Sequence, residues 1–292
     1  MTTNGNLTIA EACALATKEL SENKTIDSPR LDCEVILSHI LKCERIDLIL
    51  NGSNFLKKEH ATLFFDMIKK RKNNTPVSYI TGVKEFMSLD FFAQEGVLIP
   101  RPETEILVEK IIAFYKDNKI PEILDLCTGS GAIAVSLAHY LKKAKVFAID
   151  KFDICVETAE KNAKIHNVSD RCNIIKGDVL DDFSCETKFD CIVSNPPYIK
   201  KDVLSTLPKD VKDFEPDYAL DGGDDGLIFY RKIVEIAKTH LKDGGLLAFE
   251  IGFDQGEDVK YLIDETRVFQ TVLVEKDYAN QDRIVMAIKG LS

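Results

Sequence analysis

The sequence predicts an open α/β sandwich, its sheet mostly parallel with an antiparallel C-terminal strand, behind a small helical N-terminal domain. Three observations carry this. From Pro102 onward, short apolar runs alternate with segments of helical periodicity, the pattern of strands joined by crossover helices. The last two apolar runs, Val268 to Val274 and Arg283 to Ile288, are separated by a polar stretch too short for a crossover helix, so they should pair antiparallel. Up to Lys72, by contrast, apolar spacing is helical throughout.

In chain order, Leu7 to Leu20 has apolar residues at helical spacing, and Thr8 followed by Glu11 makes a capping box. Ser28-Pro29 opens a second helix reaching Leu41, with proline in the first turn, where its missing N–H costs nothing. A short third helix lies near Arg45 to Leu50. The fourth, Lys57 to Lys72, puts Leu63, Phe64, Met67 and Ile68 on one face and ends in Lys69-Lys70-Arg71-Lys72. Those cations complement the helix C-terminus, or else meet an acidic or RNA-containing partner. Asn73 to Thr81 reads as a polar connection, and Phe86 to Leu98 as a β-hairpin joining two domains. The expected division is residues 1–80, a hairpin linker at 81–99, and 100–292. In the last part, strands are expected at Ile123 to Leu126, Lys145 to Ile149, Asn173 to Lys176, Cys191 to Ser194 and Gly245 to Ile251. Helices are expected at Ala132 to Leu141, Asp153 to His166 and Leu227 to Leu241.

A chain of 292 residues suits two domains, and 45% hydrophobic residues supply a core for each. The net charge of −10 is uneven: residues 1–85 carry 12 Lys and Arg against 11 Asp and Glu, the remainder 26 against 37. An acidic second half disfavours extended contact with a phosphate backbone, so direct nucleic-acid binding is not expected. No apolar run approaches the ~20 residues of a membrane span. Met1 to Ala10 lacks a basic segment followed by an apolar stretch, so no leader is expected and a cytoplasmic location is. The eight cysteines form no CxxC pair, which suggests neither a metal site nor a redox motif, and their thiols should be reduced.

The segment Asp125-Leu126-Cys127-Thr128-Gly129-Ser130-Gly131-Ala132 links the first strand of the sheet to a helix. Gly129 and Gly131 allow a tight turn and close backbone approach to a ligand. Asp150 ends the next strand, where a carboxylate can accept both ribose hydroxyls of an adenosine. These residues also fit the looser dinucleotide fingerprint with its downstream acid. Asp125 weighs against that reading, because a carboxylate near this helix N-terminus would repel a pyrophosphate. It favours a ligand bearing an ammonium and a sulfonium, S-adenosylmethionine.

Asn195-Pro196-Pro197-Tyr198 directly follows the strand Cys191 to Ser194, at the strand end where open sheets bind ligands. Its residue types suit a planar nitrogen. An amide NH₂ is a poor nucleophile because its lone pair is delocalised. Two acceptors, the Asn195 side-chain oxygen and the Pro196 carbonyl, can hold its hydrogens and aim the nitrogen. Two fixed φ angles stiffen the backbone, and Tyr198 can pack on the planar group. Catalysis is then mainly positioning and electrostatics.

With these motifs, the chain resembles the release-factor glutamine methyltransferase family (HemK/PrmC) over nearly its full length. The matching segments are Pro76 to Ile80, Val97 to Glu105, the glycine turn, Asn195 to Ile199, Glu215-Pro216 with Ala219 to Gly223, and Asp282-Arg283. The resemblance implies a Rossmann-like class I methyltransferase sheet and a helical N-terminal domain that helps hold the substrate. It implies methyl transfer from S-adenosylmethionine, leaving S-adenosylhomocysteine, to the glutamine of the GGQ motif in release factors, on or near the ribosome. Carried over by motif, Cys127 to Gly131 and Asp150 bind cofactor, Asn195 to Tyr198 bind the glutamine, and Asn195 touches both. Two departures stand out. Cys127 occupies a position where glycine is common, and Asp178 is followed by Val179 where an aromatic residue often stacks on adenine.

Pro102-Glu103 opens a helix whose first-turn acids, Glu103 and Glu105, suit its dipole. Arg101 and Glu103 are also candidates for shaping the cofactor or substrate entrance. Lys200 to Gly226 is long for a connection and is expected to cover the substrate. The alternatives are the sister enzyme acting on a large-subunit ribosomal protein, and an adenine-N(6) methyltransferase on nucleic acid.

Overall fold

A computed structural model describes residues 7–116, 120–181, 183 and 185–291. Met1 to Asn6, within the stretch where no leader is expected, lie outside the described residues. The chain forms two compact units: residues up to Val83 together with Pro208–Phe214, and the rest.

In the first unit, α1 (Ile9–Ser21) begins with the expected capping box. Thr8 Oγ1 accepts the Glu11 amide at 3.2 Å, and the Glu11 carboxylate accepts the Thr8 amide at 2.8 Å. Helices α2 (Pro29–Leu41), α3 (Arg45–Leu50) and α4 (Lys58–Lys72) complete a bundle. Ala12, Ala16 and Leu20 pack with Cys33, Ile36, Leu37, Phe64 and Ile68, all fully buried. The basic run at the end of α4 is largely used within the unit. Arg71 is buried against Asp32 at 2.6 Å, Lys72 reaches Glu22 at 2.7 Å and Lys69 reaches Asp66 at 2.9 Å. The polar connection expected at Asn73 to Thr81 is corrected: α5 (Val77–Thr81) forms there, following Pro76 and ended by Gly82 at φ +75°. One helical turn is too short to register as periodicity.

The second unit starts within a hairpin, β1 (Val83–Phe86) and β2 (Leu89–Phe92). Met87 and Ser88 both adopt positive φ, the signature of a two-residue turn matched to strand twist. Phe86 and Phe91 meet edge to face at 5.8 Å in the core. Then follow α6 (Pro102–Phe114), β3 (Glu122–Leu126), α7 (Ala132–Tyr140), β4 (Lys145–Asp150), α8 (Asp153–Ile165), β5 (Cys172–Lys176) and β6 (Phe189–Ser194). The segment after β6 is broken by two 3-10 turns and by α9 (Lys209–Lys212), which belongs to the first unit. The chain continues through α10 (Ile228–His240), β7 (Leu241–Glu250), α11 (Gly256–Glu265), β8 (Phe269–Lys276) and β9 (Asp282–Lys289). Helix α11 answers to no expected element; it buries only Val259 and Ile263 as side chains and has no side-chain N-cap.

Seven strands form one sheet in the order β5-β4-β3-β6-β7-β9-β8. Pairing is parallel from β5 to β7, while β9 runs antiparallel to both β7 and β8. The expected architecture is therefore present, with apolar clusters on both faces of the sheet. Successive strands progress outward from β3 to β5, and β6 then returns to the other side of β3. That reversal opens a crevice between the carboxyl ends of β3 and β6. Among the described residues no helix is long and apolar enough to cross a membrane.

The turn into α7 needs left-handed backbone at Cys127, Gly129 and Gly131, with φ of +62°, +56° and +79°. At Gly131 an added Cβ would also sit 2.9 Å from the Ala159 Cβ. Gly131→Ala is therefore expected to destabilise the protein by about 2 kcal/mol, combining the left-handed penalty with overpacking. Urea unfolding without ligand measures it, and a loss below about 0.5 kcal/mol would show that the turn relaxes at little cost.

Candidate active site

Strand register sets the site. Leu126 pairs with Ile149 on one side and Ser194 on the other, and Ser194 pairs with Phe249. The residues that follow these level positions, Cys127, Asp150, Asn195 and Glu250, thus emerge together at one edge of the sheet. Ser194 Oγ donates to the Leu126 carbonyl at 2.5 Å, tying the two central strands where they end.

Beyond these ends lies a cavity of about 250 Å³. Of the residues singled out from sequence, Cys127, Gly129, Asp150, Val179, Asn195 and Pro197 line it. Asp125, Thr128, Ser130, Gly131, Pro196 and Tyr198 are not in its lining, nor are Arg101 and Glu103.

Asp150 is 8% exposed, and its carboxylate accepts the Gly129 amide at 2.8 Å and the Phe152 amide at 3.1 Å. Burial raises its pKa, against the lowering effect of those amides. Asp125 lies beneath the turn at zero exposure, accepting from the Thr128 hydroxyl at 2.6 Å. Burial pushes its carboxyl up to about 7. That shift disfavours the charged form, so the place of Asp125 in the sequence does not by itself establish a full negative charge there. Its clear role here is to brace the turn.

The cavity walls include residues that sequence reasoning missed. Phe152, two residues past Asp150, stacks on Tyr218 with ring centroids 3.6 Å apart. Tyr218 comes from the long segment after β6, and its hydroxyl donates to the Gly96 carbonyl. Phe152 was legible as an aromatic residue two positions after Asp150; Tyr218 carried no local signal. Lys151 pairs with Asp178 at 2.8 Å beside Val179. Among the described residues no group of three or more His, Cys, Asp or Glu could hold a metal ion.

The tetrapeptide is held from several sides. Asn195 Nδ2 donates to Thr104 Oγ1 at 3.2 Å, and Thr104 Oγ1 donates to Glu250 Oε2 at 2.5 Å. Gln255 Nε2 donates to the Tyr198 carbonyl at 3.0 Å and the Gly226 carbonyl at 3.2 Å. Gly226 lies so close that a Cβ there would sit 2.5 Å from the Tyr198 carbonyl oxygen. Burial raises the Glu250 carboxyl to about 7, with Thr104 and Arg283 opposing the rise. Arg101 makes a two-oxygen ion pair with buried Glu215, at 2.6 and 2.7 Å, fastening the segment before Tyr218. Glu103 is exposed in the first turn of α6.

The donor set fits S-adenosylmethionine. A buried carboxylate at a strand end suits a ribose diol, apolar walls from Leu98, Phe152 and Val179 suit an adenine, and a glycine turn allows close backbone approach.

The PrmC N-terminal domain family matches residues 11–82, and the methyltransferase small domain family matches residues 102–208. The release factor glutamine methyltransferase of Clostridium acetobutylicum is 43% identical, over 89% of this chain and 91% of its own. That of Clostridium botulinum is 42% identical, over 91% and 94%. A methyltransferase crystal structure from Pyrococcus furiosus shares the fold, with a TM-score of 0.51 at 21% identity, covering 78% of this chain and 98% of that one. On the full-length similarity, this chain belongs to the release factor glutamine methyltransferase family.

Proposed function

We propose that the chain transfers a methyl group from S-adenosylmethionine to the side-chain amide nitrogen of the GGQ-motif glutamine of peptide-chain release factors, in the cytoplasm and on or near the ribosome. The observation that carries this reading is the position of Asn195-Pro196-Pro197-Tyr198. It leaves β6 level with the glycine turn, and Asn195 reaches the cavity wall with its Nδ2 committed to Thr104. The atom left to meet a substrate amide is the Asn195 carbonyl oxygen. Together with the Pro196 carbonyl it takes the two amide hydrogens and aims the nitrogen. The bound cofactor supplies the electrophilic methyl group. Asp150 holds the ribose, the Cys127 to Gly131 turn approaches the amino-acid moiety, and Val179 and Phe152 face the adenine. Alternatives acting on a ribosomal protein or on adenine are not favoured, since relatives at 43%, 42% and 39% identity carry the release-factor name.

The helical unit supplies the protein-binding role in this reading. Ile46, Ile49 and Leu50 share one face of α3 and are 57%, 63% and 73% exposed, while Leu48 turns into the core. Such an apolar face on a near-neutral unit suits a protein partner. Ile49→Lys with Leu50→Lys should raise KM for intact release factor about tenfold and leave methylation of a short GGQ peptide unchanged, because losing two exposed anchors costs ~1–2 kcal/mol of docking. Equal KM values for intact release factor would remove α3 from the interface.

Cofactor choice has its own test. Calorimetry should show binding of S-adenosylmethionine and none of NAD, and Asp150→Ala should weaken the former about tenfold or more through lost ribose hydrogen bonds. Unchanged affinity in that variant would mean the ribose is held elsewhere.

Chemistry is tested at Asn195. Asn195→Ala removes one of two aligning acceptors without touching the apolar core. Turnover should fall ~10²–10³-fold, the usual cost of one preorganised donor or acceptor. Labelled methyl incorporation measures it, alongside a release factor whose GGQ glutamine is changed to glutamate, which should accept no methyl. Near-normal turnover by folded, cofactor-bound Asn195→Ala would refute the amide-clamp mechanism.

A further inference from the structure

We infer that Thr104 and Glu250 are positioning residues that set which end of the Asn195 amide faces the substrate. The inference rests on the proposed role of Asn195. An asparagine amide is nearly symmetric in shape but not in chemistry: one end accepts hydrogen bonds and the other donates them. A flipped Asn195 would present Nδ2 to the substrate NH₂, donor against donor, and the clamp would be lost. Something must therefore distinguish the two ends.

The three side chains form a directed line. Thr104 Oγ1 lies 2.5 Å from Glu250 Oε2 and 3.2 Å from Asn195 Nδ2. Ionised Glu250 can only accept, so in that state the single hydroxyl hydrogen of Thr104 goes to Glu250. That leaves Thr104 Oγ1 as an acceptor, and only the Nδ2 end of Asn195 can satisfy it. The order imposed at Glu250 thus reaches the substrate-facing oxygen one residue further on.

Burial makes the order costly to break. Thr104 is 4% exposed and Glu250 2% exposed, so water is not on hand to satisfy either group in another arrangement. Glu250 is itself fixed by position: it ends β7, one residue after Phe249, which pairs with Ser194, and its backbone carbonyl accepts from the Tyr230 hydroxyl at 2.9 Å. Thr104 stands in the first full turn of α6, inside the Val97 to Glu105 segment. The part of that segment that reaches Asn195 is Thr104, while Arg101 pairs with Glu215 in the segment after β6.

A double-mutant cycle tests this on the full-length enzyme with purified release factor and labelled S-adenosylmethionine. Thr104→Val keeps the volume and removes the hydroxyl, and kcat should fall about three- to tenfold, as for loss of one net hydrogen bond. Thr104→Ser should restore kcat to within about twofold, because the hydroxyl returns. Glu250→Gln, whose amide can donate as well as accept, should fall in the same direction as Thr104→Val. In an Asn195→Ala background neither Thr104→Val nor Glu250→Gln should lower kcat further, since no amide remains to be oriented. Losses that multiply fully with Asn195→Ala, or a Thr104→Ser variant as slow as Thr104→Val, would overturn the inference and leave a merely structural role. Normal turnover by Asn195→Ala alone would instead fail the amide-clamp reading itself, and the inference with it. Where Thr104→Val fails to fold, the Glu250→Gln arm of the cycle decides between the same outcomes.

Discussion

The register between β3 and β6 is the constraint on which the rest of the site depends. These strands are distant in sequence and meet only because the chain reverses direction across the sheet after β5. Their parallel pairing brings Leu126 and Ser194 level, and the Ser194 hydroxyl bond to the Leu126 carbonyl holds them there. Parallel neighbours then place Ile149 and Phe249 in the same row. A slip of one residue anywhere would turn each following side chain to the opposite face. The positions of the glycine turn, Asp150, the tetrapeptide and Glu250 are therefore consequences of one row of pairings.

That row carries an energetic burden. Asp125 and Glu250 are carboxyls taken almost wholly out of water, and both are pushed up to about 7 by burial. A threonine hydroxyl donates to each, Thr128 to Asp125 and Thr104 to Glu250. Well-packed apolar residues would do no worse for stability at such positions. What polar groups add is direction: Thr128 ties the glycine turn to β3, and Thr104 ties Asn195 to β7. The strained φ of Cys127 belongs with these, since a side chain in left-handed backbone is retained at some cost within the cavity wall.

Short-range features were legible in the sequence because their physics is local. Capping at Thr8, proline at the start of α2 and α6, strand–helix alternation and the antiparallel final pair all follow from neighbours a few residues apart. The glycine turn and the tetrapeptide were legible as motifs, and strand-end placement predicted their adjacency. Contacts spanning the chain were not. Thr104 and Glu250 are 146 residues apart, Arg101 and Glu215 are 114 apart, and neither separation leaves a periodic trace. Asp125 shows a subtler limit: its position was clear but its burial was not, and burial decides how much charge it carries. Helices α5 and α11 escaped for a plainer reason, one being a single turn and the other lacking a side-chain cap.

The overlooked start of α11 takes part in holding the tetrapeptide. Glu250 ends β7, and Gln255 precedes the first residue of α11, so only four residues separate them. Glu250 acts through Thr104 on Asn195, at the beginning of the tetrapeptide; Gln255 donates directly to the Tyr198 carbonyl, at its end. The Gln255 side-chain oxygen in turn accepts the Gly252 amide at 2.9 Å, which fixes its own orientation as Thr104 fixes that of Asn195. One short connection thus grips the tetrapeptide at both ends, with two prolines stiffening the middle. A reaction that relies on aiming a weakly nucleophilic nitrogen, rather than on a strong base, gains most from a backbone that cannot shift. In the proposed mechanism the β7–α11 connection, and not the motif alone, holds these four residues in place.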